Sequence, residues 1–417
     1  MEFRRVVVTG LGTINPIGNS IAEFWENLEN GVSGADKITH FDASKFKTQF
    51  ACEVKNFVPG DHFDRKEARK LDLYAQYALV ATKQAIEDSK LDLESEDLTK
   101  AGVIWGSGIG GIKTFLDEVT GYANGDGTPR FSPFFIPKMI SDIAAGHISM
   151  KYGFQGPNYG TVSACASASH AMIDAMNYIR LGKANIFITG GSEASINEAG
   201  LGGFNSMQAL STNNEEYKTA SRPFCNTRDG FVMGEGGGCL ILEEYEHAKA
   251  RGAKIYAEIV GGGMSGDAYH LTATHPEGRG AINAMNMALN DASLTPEDID
   301  YINVHGTSTP VGDIPETKAV QTVFGEHAYK LNISATKSMT GHLLGAAGSV
   351  EAIACILALN NQTVPPTINH GEKDPNIDEK LNLTLHKAQK REIRAALSNT
   401  FGFGGHNASV IFKSFTE

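Results

Sequence analysis

The sequence predicts an α/β protein in which one fold occurs twice along the chain. Short apolar runs that end near glycine alternate with segments of helical apolar spacing, as in proteins with a largely parallel sheet. The order of these runs in the first half of the 417 residues recurs in the second half. A chain of this length can bury the core of a large duplicated domain or of two domains.

The first half is predicted to alternate strands with helices. The predicted strands are 6–9, 102–105, 159–163, 186–189 and 238–242, and the predicted helices are 73–89, 140–150 and 166–180. Apolar runs of strand length before glycine indicate the strands, and apolar residues three and four positions apart indicate the helices. The longest stretch without periodicity, about 122–137, contains several glycines and prolines and predicts a functional loop.

The second half repeats this order. Its predicted strands are 256–260, 301–304, 332–335 and 408–413, and helix 349–359 corresponds to the helix that follows Cys165 in the first half. The join falls near 247–255, so we predict an N-terminal half over 1–250 and a C-terminal half over 251–417. Such a duplication would bring loops of both halves together at the carboxyl ends of the strands.

Composition excludes several kinds of partner and environment. The formal net charge of −12 argues against nucleic acid or an anionic membrane surface as the main partner. The five cysteines form no CxxC pair, which argues against a disulfide scaffold or structural zinc and fits a reducing compartment. No apolar stretch precedes Val6, and no run approaches the roughly 18 apolar residues of a membrane span. We therefore expect a cytoplasmic protein without a signal peptide.

Cys165 is the candidate nucleophile. It follows a strand-like run, and the spacing of Met172, Met176 and Ile179 predicts a helix behind it. The free N–H groups and the dipole of a helix N-terminus favour thiolate over thiol, which predicts a lowered pKa for Cys165. The alternative is a small buried hydrophobe, the usual fate of a free cysteine. The small residues on both sides favour the nucleophile.

His305 and His342 are candidate partners of this thiol. His305 follows a predicted strand and precedes a glycine and three hydroxyl residues, where an α/β fold places chemistry. His342 lies in a glycine-flanked loop that opens onto a helix, and Lys337 precedes it by five residues. No second ligand stands three or four positions from either histidine, which argues against zinc. A thiol with two imidazoles suits the transfer of acyl groups carried as thioesters.

Two glycine-rich segments indicate close backbone approach to a site. Segment 106–111 fits the GxGxxG pattern of dinucleotide-binding turns, but no acidic residue ends a strand about twenty positions later. We favour glycines that let the backbone pass a buried site, or leave room for a substrate tail, over a nucleotide site. Segment 399–407 carries Phe401 and Phe403 and predicts a loop that offers an N–H to an oxyanion and a movable ring to gate a pocket.

Four motifs in this order resemble the β-ketoacyl-[acyl-carrier-protein] synthases of the thiolase fold. They are VSACAS at 162–167, HGTSTP at 305–310, KSMTGH at 337–342 and FGFGG at 401–405. The resemblance covers essentially the whole chain and is closest to the type II, elongating enzymes. Chain-initiating members have asparagine in place of His342, and chain-length factors lack the cysteine; neither departure occurs here. The resemblance implies a homodimer with a duplicated, layered α-β-α-β-α fold and two mixed sheets.

The resemblance also implies a decarboxylative Claisen condensation that lengthens a fatty acyl chain by two carbons. Cys165 would take the acyl group from acyl-carrier protein, and the enolate formed from malonyl carrier protein would attack that thioester. His305 and His342, both neutral, would donate N–H bonds to the thioester oxygen, and the charge of Lys337 would favour their neutral form. The other implied roles are an oxyanion hole and gate at Phe403 and Phe401, substrate contacts from Thr307, Thr309 and Thr272, and an acyl pocket with Ile109 and Phe204.

Supporting residues and partners follow from the same resemblance. Four basic residues at i, i+1, i+4 and i+5 of a predicted helix and one later arginine would dock the acidic carrier protein, unless they form only a solvated face. They are Arg65, Lys66, Arg69, Lys70 and Arg130. Glu351 would buttress the Lys337 loop, contribute to a structural monovalent cation site, or be a surface charge. Ser398 and Asn399 are expected near the site, with no cofactor beyond the phosphopantetheine of the substrates.

Other members of the fold remain as alternatives. A type I elongating synthase or a polyene or polyketide ketosynthase fits the same motifs. A degradative thiolase that uses coenzyme A would carry a second cysteine in the late glycine loop, and 401–407 has none. A non-catalytic subunit that only shapes chain length is disfavoured by the presence of Cys165, His305 and His342.

Overall fold

The structure, a computed structural model, describes residues 3–416. The strands within that range are β1 Val6–Ile14, β2 Asp36–Lys37, β3 Phe50–Ala51, β4 Ala101–Gly106, β5 Asn158–Thr161, β6 Ile186–Glu193, β7 Gly236–Glu244, β8 Ala257–Gly266, β9 Tyr301–Asn303, β10 Asn332–Ser334, β11 Thr363–Val364, β12 Gln389–Lys390, β13 Ala395–Gly402 and β14 His406–Lys413. The helices are α1 Ile21–Glu29, α2 Arg65–Ala68, α3 Leu73–Ser89, α4 Ile112–Ala123, α5 Phe135–Met139, α6 Ile143–Tyr152, α7 Ser167–Arg180, α8 Glu198–Ser206, α9 Tyr245–Ala250, α10 Arg279–Ala292, α11 Pro310–Phe324, α12 Lys337–Thr340 and α13 Ala347–Asn361.

Ten of these strands form two groups with the same internal order. The N-terminal group runs β1-β7-β6-β4-β5 and the C-terminal group runs β8-β14-β13-β9-β10. In each group the first two neighbouring pairs are antiparallel and the last two are parallel. This repetition of order and direction confirms the duplicated α/β fold. The division at residue 250 stays a prediction; it coincides with the end of α9.

The two groups are joined at their first strands. β1 and β8 pair antiparallel through two residue pairs, Val7 with Glu258 and Val8 with Ala257. Hydrogen bonds therefore run across all ten strands. The two mixed sheets expected from the sequence are the two halves of this continuous ladder, linked only by that short pairing.

Helices cover both faces of each group. The central helices α7 and α13 share one apolar cluster with strands of both groups, in which Met172 and Ile353 lie with Leu240 and Val410. Helices α3 and α6 pack on the other face of the N-terminal group, and α10 and α11 pack on the other face of the C-terminal group. This arrangement is the layered α-β-α-β-α order that the resemblance implies.

Several elements of the structure were not predicted from the sequence, and three of them bear on the site. Strand β13 was not predicted, because its last residues belong to the glycine-rich segment 399–407 that we expected to be a loop. Helices α10 and α11 were also not predicted; α11 begins at Pro310 and contains Pro315, a residue that normally ends helices. The position of Phe401 changes as a result, because it lies on a strand and only 403–405 form the turn before β14.

One apolar segment departs from the expectation that no run would be long enough for a membrane span. Leu344–Asn361 meets the criteria of length and composition, but 89% of it is buried inside the protein as a core helix and the turn before it. The prediction that the chain lacks a signal peptide concerns its start, where residues 1 and 2 lie outside the described residues.

Candidate active site

Cys165 lies between the edge strand β5 and the central helix α7. A short 3-10 turn, Ala164–Ala166, connects the two, and Ala164 adopts a left-handed φ of 51°. The Ser167 hydroxyl stabilises this turn by accepting from the Ser163 N–H at 2.9 Å and donating to the Ala164 carbonyl at 2.7 Å. The predicted position of the sulfur at a helix N-terminus is confirmed.

The predicted low pKa of Cys165 is wrong. Burial raises the pKa of this thiol to about 12, although the positive charge of Lys337 and the backbone N–H of Phe403 act in the opposite direction. The loss of water around the sulfur therefore outweighs the groups that favour thiolate. In the free protein the group is a thiol, and the charge-stabilising groups around it matter when negative charge develops during attack.

The thiol and the two imidazoles converge on one point. His342 Nε2 lies 3.0 Å from Cys165 Sγ, and the rings of His305 and His342 are 5.2 Å apart at 87° to each other. One ligand atom from each of the three residues lies within 4.8 Å of the others. Residues separated by as many as 177 positions in sequence thus share a single centre.

The same three atoms have a spacing that could hold a metal ion, in spite of the sequence argument against one. Neighbouring positions on one helix offer no second ligand, whereas these three ligands come from separate loops. A thiolate and two imidazoles are ligands that zinc accepts. Occupation by a metal would block the sulfur as a nucleophile, so the two uses of the cluster exclude each other.

Hydrogen bonding defines the proton position on His342. The Leu344 N–H donates to His342 Nδ1 at 3.3 Å, so the hydrogen of the neutral ring is carried on Nε2, which faces the sulfur. Burial lowers the pKa of both His305 and His342 well below the usual value, and the positive charge of Lys337 lowers it further. Both rings are therefore neutral near pH 7 and can act as N–H donors.

His305 is held by a buried carboxylate that the sequence analysis did not identify. Glu316, on α11, accepts the backbone N–H of His305 at 2.7 Å and that of Gly306 at 2.8 Å. The His305 Nδ1 atom is buried and has no hydrogen-bond partner within residues 3–416. The loop is thus fixed through its backbone while the ring keeps unused hydrogen-bonding capacity.

Lys337 and Glu351 form a buried ion pair beside this centre. The Lys337 ammonium donates to the Glu351 carboxylate, and the two side chains are only 2% and 3% exposed. Burial raises the pKa of Glu351 to about 7, while Lys337 opposes that rise. A surface position for Glu351, one of the alternatives from the sequence, is wrong. The carboxylate instead contacts Lys337, the first residue of the short helix α12, which precedes His342 in sequence.

A cavity of about 640 Å³ opens onto the three converging residues. Its lining includes every candidate for catalysis, gating and substrate contact except Lys337: Cys165, His305, His342, Phe401, Phe403, Thr307, Thr309, Thr272, Ile109 and Phe204. Other lining residues were not predicted from the sequence, among them Phe231, Leu344, Met207 and Val311. Most of the lining area is apolar, which fits a hydrocarbon tail.

Other candidates lie outside this cavity. Ser398 and Asn399 are buried on β13, where Asn399 accepts the Ser409 hydroxyl at 2.7 Å. The five basic residues expected to dock a carrier protein are all exposed. They do not share one regular helix, because α2 ends at Ala68 and leaves Arg69 and Lys70 in the following turn. The Lys70 ammonium lies 5.9 Å from the Phe134 ring, which brings this turn near the loop of Arg130.

A second buried carboxylate, Glu193, was also missed. It ends β6 and is fully buried, and burial raises its pKa to about 7 against the backbone N–H groups that it accepts. Its signal in the sequence was an acidic residue at the end of an apolar strand, four residues beyond the predicted end at 189. Glu316 had a similar signal, an acid among the apolar residues of a segment that we did not predict as a helix.

Comparisons with known families agree with this geometry. Residues 3–248 match the family described as Beta-ketoacyl synthase, N-terminal domain, and residues 256–371 match Beta-ketoacyl synthase, C-terminal domain. The chain is 49% identical to a protein named 3-oxoacyl-[acyl-carrier-protein] synthase 2 from Staphylococcus aureus (strain COL), with 99% of each chain covered. A protein of the same name from Synechocystis is 48% identical over 100% of this chain and 99% of its own.

Solved structures give the same result. A β-ketoacyl synthase from Burkholderia phymatum is 34% identical with a TM-score of 0.91, covering 99% of this chain and 100% of its own. A ketosynthase solved in complex with its type II polyketide acyl-carrier protein is also 34% identical, with a TM-score of 0.88 and the same coverage. The motifs, the duplicated fold, the thiol with two imidazoles and these similarities together show that the chain belongs to the β-ketoacyl synthase family of condensing acyltransferases.

Proposed function

We propose that this protein is a type II 3-oxoacyl-[acyl-carrier-protein] synthase that elongates fatty acyl chains by two carbons. The observation that carries the proposal is the convergence of Cys165, His305 and His342 at a mostly apolar cavity. A thiol provides the site for a covalent acyl intermediate, and two neutral imidazoles provide N–H donors for a thioester oxygen. The name of the relatives that match the whole chain supports the choice of carrier protein as the form of the substrate.

In the first half-reaction Cys165 would take the acyl group from the carrier. The sulfur attacks the thioester carbon, a bond forms between them, and the pantetheine sulfur leaves and takes up the proton that Cys165 loses. The Phe403 N–H and the charge of Lys337 both lower the pKa of the thiol, so they stabilise negative charge on the attacking sulfur. The N–H groups of Cys165 and Phe403 would then bind the oxyanion of the tetrahedral intermediate.

In the second half-reaction malonyl carrier protein would enter and lose carbon dioxide. The electrons of the broken carbon–carbon bond form an enolate, whose oxygen accepts N–H bonds from His305 and His342. The enolate carbon attacks the thioester on Cys165, the carbon–sulfur bond breaks, and the departing thiolate takes up a proton from water. Thr307 and Thr309, whose hydroxyls lie 3.0 Å apart in the cavity lining, and Thr272 would contact the pantetheine arm.

A condensation assay tests the proposal. Purified protein is incubated with acyl- and malonyl-carrier protein, and carbon dioxide and the product are quantified. We expect one carbon dioxide for each β-ketoacyl product. Product formed from acetyl-coenzyme A alone, without carbon dioxide, would instead indicate a thiolase. Complete inactivity towards carrier substrates would indicate a non-catalytic subunit.

The exposed basic residues support docking of an acidic carrier protein. The Lys70 ammonium lies 5.9 Å from the ring of Phe134, four residues after Arg130, and we infer that the five residues share one basic surface in a protein of net charge −12. Reversal of charge at Arg69 and Lys70 to glutamate should raise KM for carrier-bound substrate and reduce its salt dependence. It should leave turnover of acyl-pantetheine unchanged, and an equal loss with both substrates would contradict docking at this surface.

A structural monovalent cation fits a group of buried oxygen atoms. Asn303 Oδ1, Ser398 Oγ and Glu351 Oε2 are buried without hydrogen-bond partners in the described part of the chain. Asn303 and Ser398 pair across β9 and β13, and Cys355, one turn after Glu351, contacts both. Oxygen ligands suit hard cations, and a bound cation would share the negative charge of the Glu351 carboxylate with Lys337. A higher melting temperature in potassium than in N-methylglucamine chloride of equal ionic strength would support the site.

A cytoplasmic homodimer completes the proposal. Strand β5 forms one edge of the ten-stranded ladder and precedes Val162, which is 61% exposed. Exposed apolar residues lie on and near α4, including Phe115, Val119 and Tyr122. An open strand edge and an exposed apolar helix surface each favour association with a second copy. Light scattering should give twice the mass of the 44.7 kDa chain, and a monomer would contradict this part of the proposal.

A further inference from the structure

Glu193 is a fully buried carboxylate held by backbone N–H groups. Its two oxygens accept hydrogen bonds from the Gly108 N–H at 2.8 Å, the Gly345 N–H at 3.0 Å, the Ile109 N–H at 3.3 Å and the Ser107 hydroxyl at 3.2 Å. Within residues 3–416 it forms no salt bridge. A buried carboxylate without a cation requires such donors, so these four bonds account for its stability in this place.

The donors belong to two loops from opposite halves of the fold. Residues 107–109 follow β4, and Ile109 lines the cavity, whereas Gly345 lies three residues after His342. The carboxylate needs the space left by two glycines, because a Cβ at Gly108 or Gly345 would lie 2.9 or 2.7 Å from Glu193 Oε2. Glu193 therefore connects the acyl-pocket wall to the turn that supports His342.

That turn controls the proton position on His342. Its first residue, Leu344, has a left-handed φ of 50°, which is unfavourable for a residue with a side chain. The Leu344 N–H donates to His342 Nδ1, and the bond from the next N–H, that of Gly345, to Glu193 fixes the same turn from the other side. Loss of the Glu193 bond would allow the turn to relax and the Leu344 N–H to move away from the imidazole.

We propose that Glu193 is a positioning residue that holds the Leu344–Ala346 turn against residues 107–109 and so keeps His342 in the tautomer with Nε2–H towards the thioester. Glu193 touches no reacting atom and acts only through the two loops. The inference rests on the proposed condensing function, because the Nε2–H donor matters only if His342 stabilises a developing enolate. Support of this kind for a catalytic group is common where an error of about 1 Å costs on the order of a hundredfold in rate.

The test uses a parent protein in which only the second half-reaction remains. Cys165→Gln mimics the acylated site and should release carbon dioxide from malonyl carrier protein without condensation. Adding Glu193→Gln keeps the side-chain volume but places an amide NH2 against backbone N–H donors. We expect carbon dioxide release to fall about 10- to 100-fold. Nitrogen-15 NMR of histidine-labelled protein should show His342 change from one tautomer to a mixture.

Glu243→Gln in the same parent is the matched control. Glu243 is equally buried and lies at the opposite end of the same strand pair, where β6 and β7 align Ile186 with Glu243 and Glu193 with Gly236. Its carboxylate forms hydrogen bonds with the side chains of Thr9, His247 and Arg251, whereas that of Glu193 is bound to active-site loops. This variant should release carbon dioxide within about twofold of the parent and leave the His342 signal unchanged, which separates positioning from the general loss of a buried charge.

The outcomes distinguish the inference from the function on which it rests. A parent that releases no carbon dioxide would overturn the roles of the histidines, whatever Glu193 does. An active parent with an unchanged His342 tautomer in the Glu193→Gln variant would overturn the positioning role, even if the rate fell. Should that variant fail to fold, Glu193→Asp retains the charge but shortens the reach; a pure Nε2–H signal in Glu193→Asp would equally contradict the inference.

Discussion

The turn at Cys165 and the turn at Leu344 occupy the same place in the two halves of the fold. Each follows the edge strand of its group, β5 or β10, and leads into a central helix, α7 or α13. Each begins with a non-glycine residue in the left-handed region, Ala164 at φ 51° and Leu344 at φ 50°. The position held by Cys165 in the first turn is held by Gly345 in the second.

One local backbone structure therefore serves two different uses in the two halves. In the N-terminal half the turn presents a sulfur to the cavity. In the C-terminal half the same backbone lacks a side chain at that position, and its N–H binds the carboxylate of Glu193 while the preceding N–H binds His342. The turn in the N-terminal half therefore carries the nucleophile, and the turn in the C-terminal half positions a hydrogen-bond donor.

Removal of the sulfur should give the largest effect. Cys165→Ala should lower condensation by at least about a thousandfold, because no acyl intermediate can form. Cys165→Gln should also abolish condensation but retain or raise malonyl decarboxylation. Product analysis with both carrier substrates measures the two activities. Condensation at the wild-type rate in Cys165→Ala would show that the first turn does not carry the nucleophile.

Loss of either imidazole should have the next largest effect. In the Cys165→Gln parent, His342→Ala or His305→Ala should lower carbon dioxide release about 100- to 1000-fold, since each ring supplies one donor to the enolate oxygen. Initial rates of carbon dioxide release report this step without condensation. A variant of either histidine that keeps the rate of the parent would remove that ring from the proposed donor pair.

Breaking the buried Lys337–Glu351 ion pair, near the Leu344–Ala346 turn, should give the largest loss in the free energy of unfolding among these variants. Glu351→Ala leaves the Lys337 ammonium buried without a partner and should lower the free energy of unfolding by about 3–5 kcal/mol. The double variant Lys337→Met, Glu351→Gln removes both charges and should recover most of that loss. Urea unfolding at pH 8 compares the two proteins. A double variant as unstable as the single one would show that the charges are not coupled.

Crowding at the second turn should have a moderate effect. In Gly345→Ala the new Cβ would lie 2.2 Å from the Gly108 nitrogen and 2.7 Å from Glu193 Oε2, so the backbone must move. We expect a loss of about 1–3 kcal/mol in unfolding free energy. Gly121→Ala, in the exposed helix α4 with no atom within 4 Å of the added Cβ, is the control and should gain up to about 1 kcal/mol. Equal stability of both variants would contradict a tight second turn.

The smallest expected effect is a shift in pH dependence. Protonation of His342 would place a hydrogen on Nδ1 opposite the Leu344 N–H, so decarboxylation should decline only on the acid side, well below pH 6.5. Replacement of Lys337 and Glu351 by methionine and glutamine removes a positive charge that lowers the pKa of both histidines. The acid limb of the pH–rate profile should therefore move to higher pH, while burial keeps the pKa of His342 below its usual value. An unchanged limb would show that Lys337 does not tune the imidazoles.

The sequence predicted the elements with strong apolar periodicity and the residues with chemical side chains. Helix α3 begins and ends where predicted, and Cys165, His305 and His342 share one cavity. Strand β13 was not predicted because its last residues belong to the glycine-rich segment 399–407, and the extended helix at Arg65 was wrong because local charge spacing does not determine where a helix ends.

Local sequence patterns do not predict how deeply a group is buried or which long-range backbone hydrogen bonds form. The pKa of Cys165 depends on how much water is excluded around the sulfur, which a helix start alone does not reveal. Glu193 and Gly345 are separated by 152 positions, and their bond involves a backbone N–H, a group that every residue type except proline carries. No side-chain pattern marks such a contact, so only the fold identifies it.

A single-turnover experiment tests whether the thiol and both imidazoles act on one thioester. The protein is loaded with acyl-carrier protein, the adduct is located by mass spectrometry, and malonyl carrier protein is then added while carbon dioxide is counted. We predict an acyl group on Cys165 that disappears as one carbon dioxide and one β-ketoacyl product appear. An acyl group on another residue, or carbon dioxide release without discharge of the adduct from Cys165, would contradict this shared action.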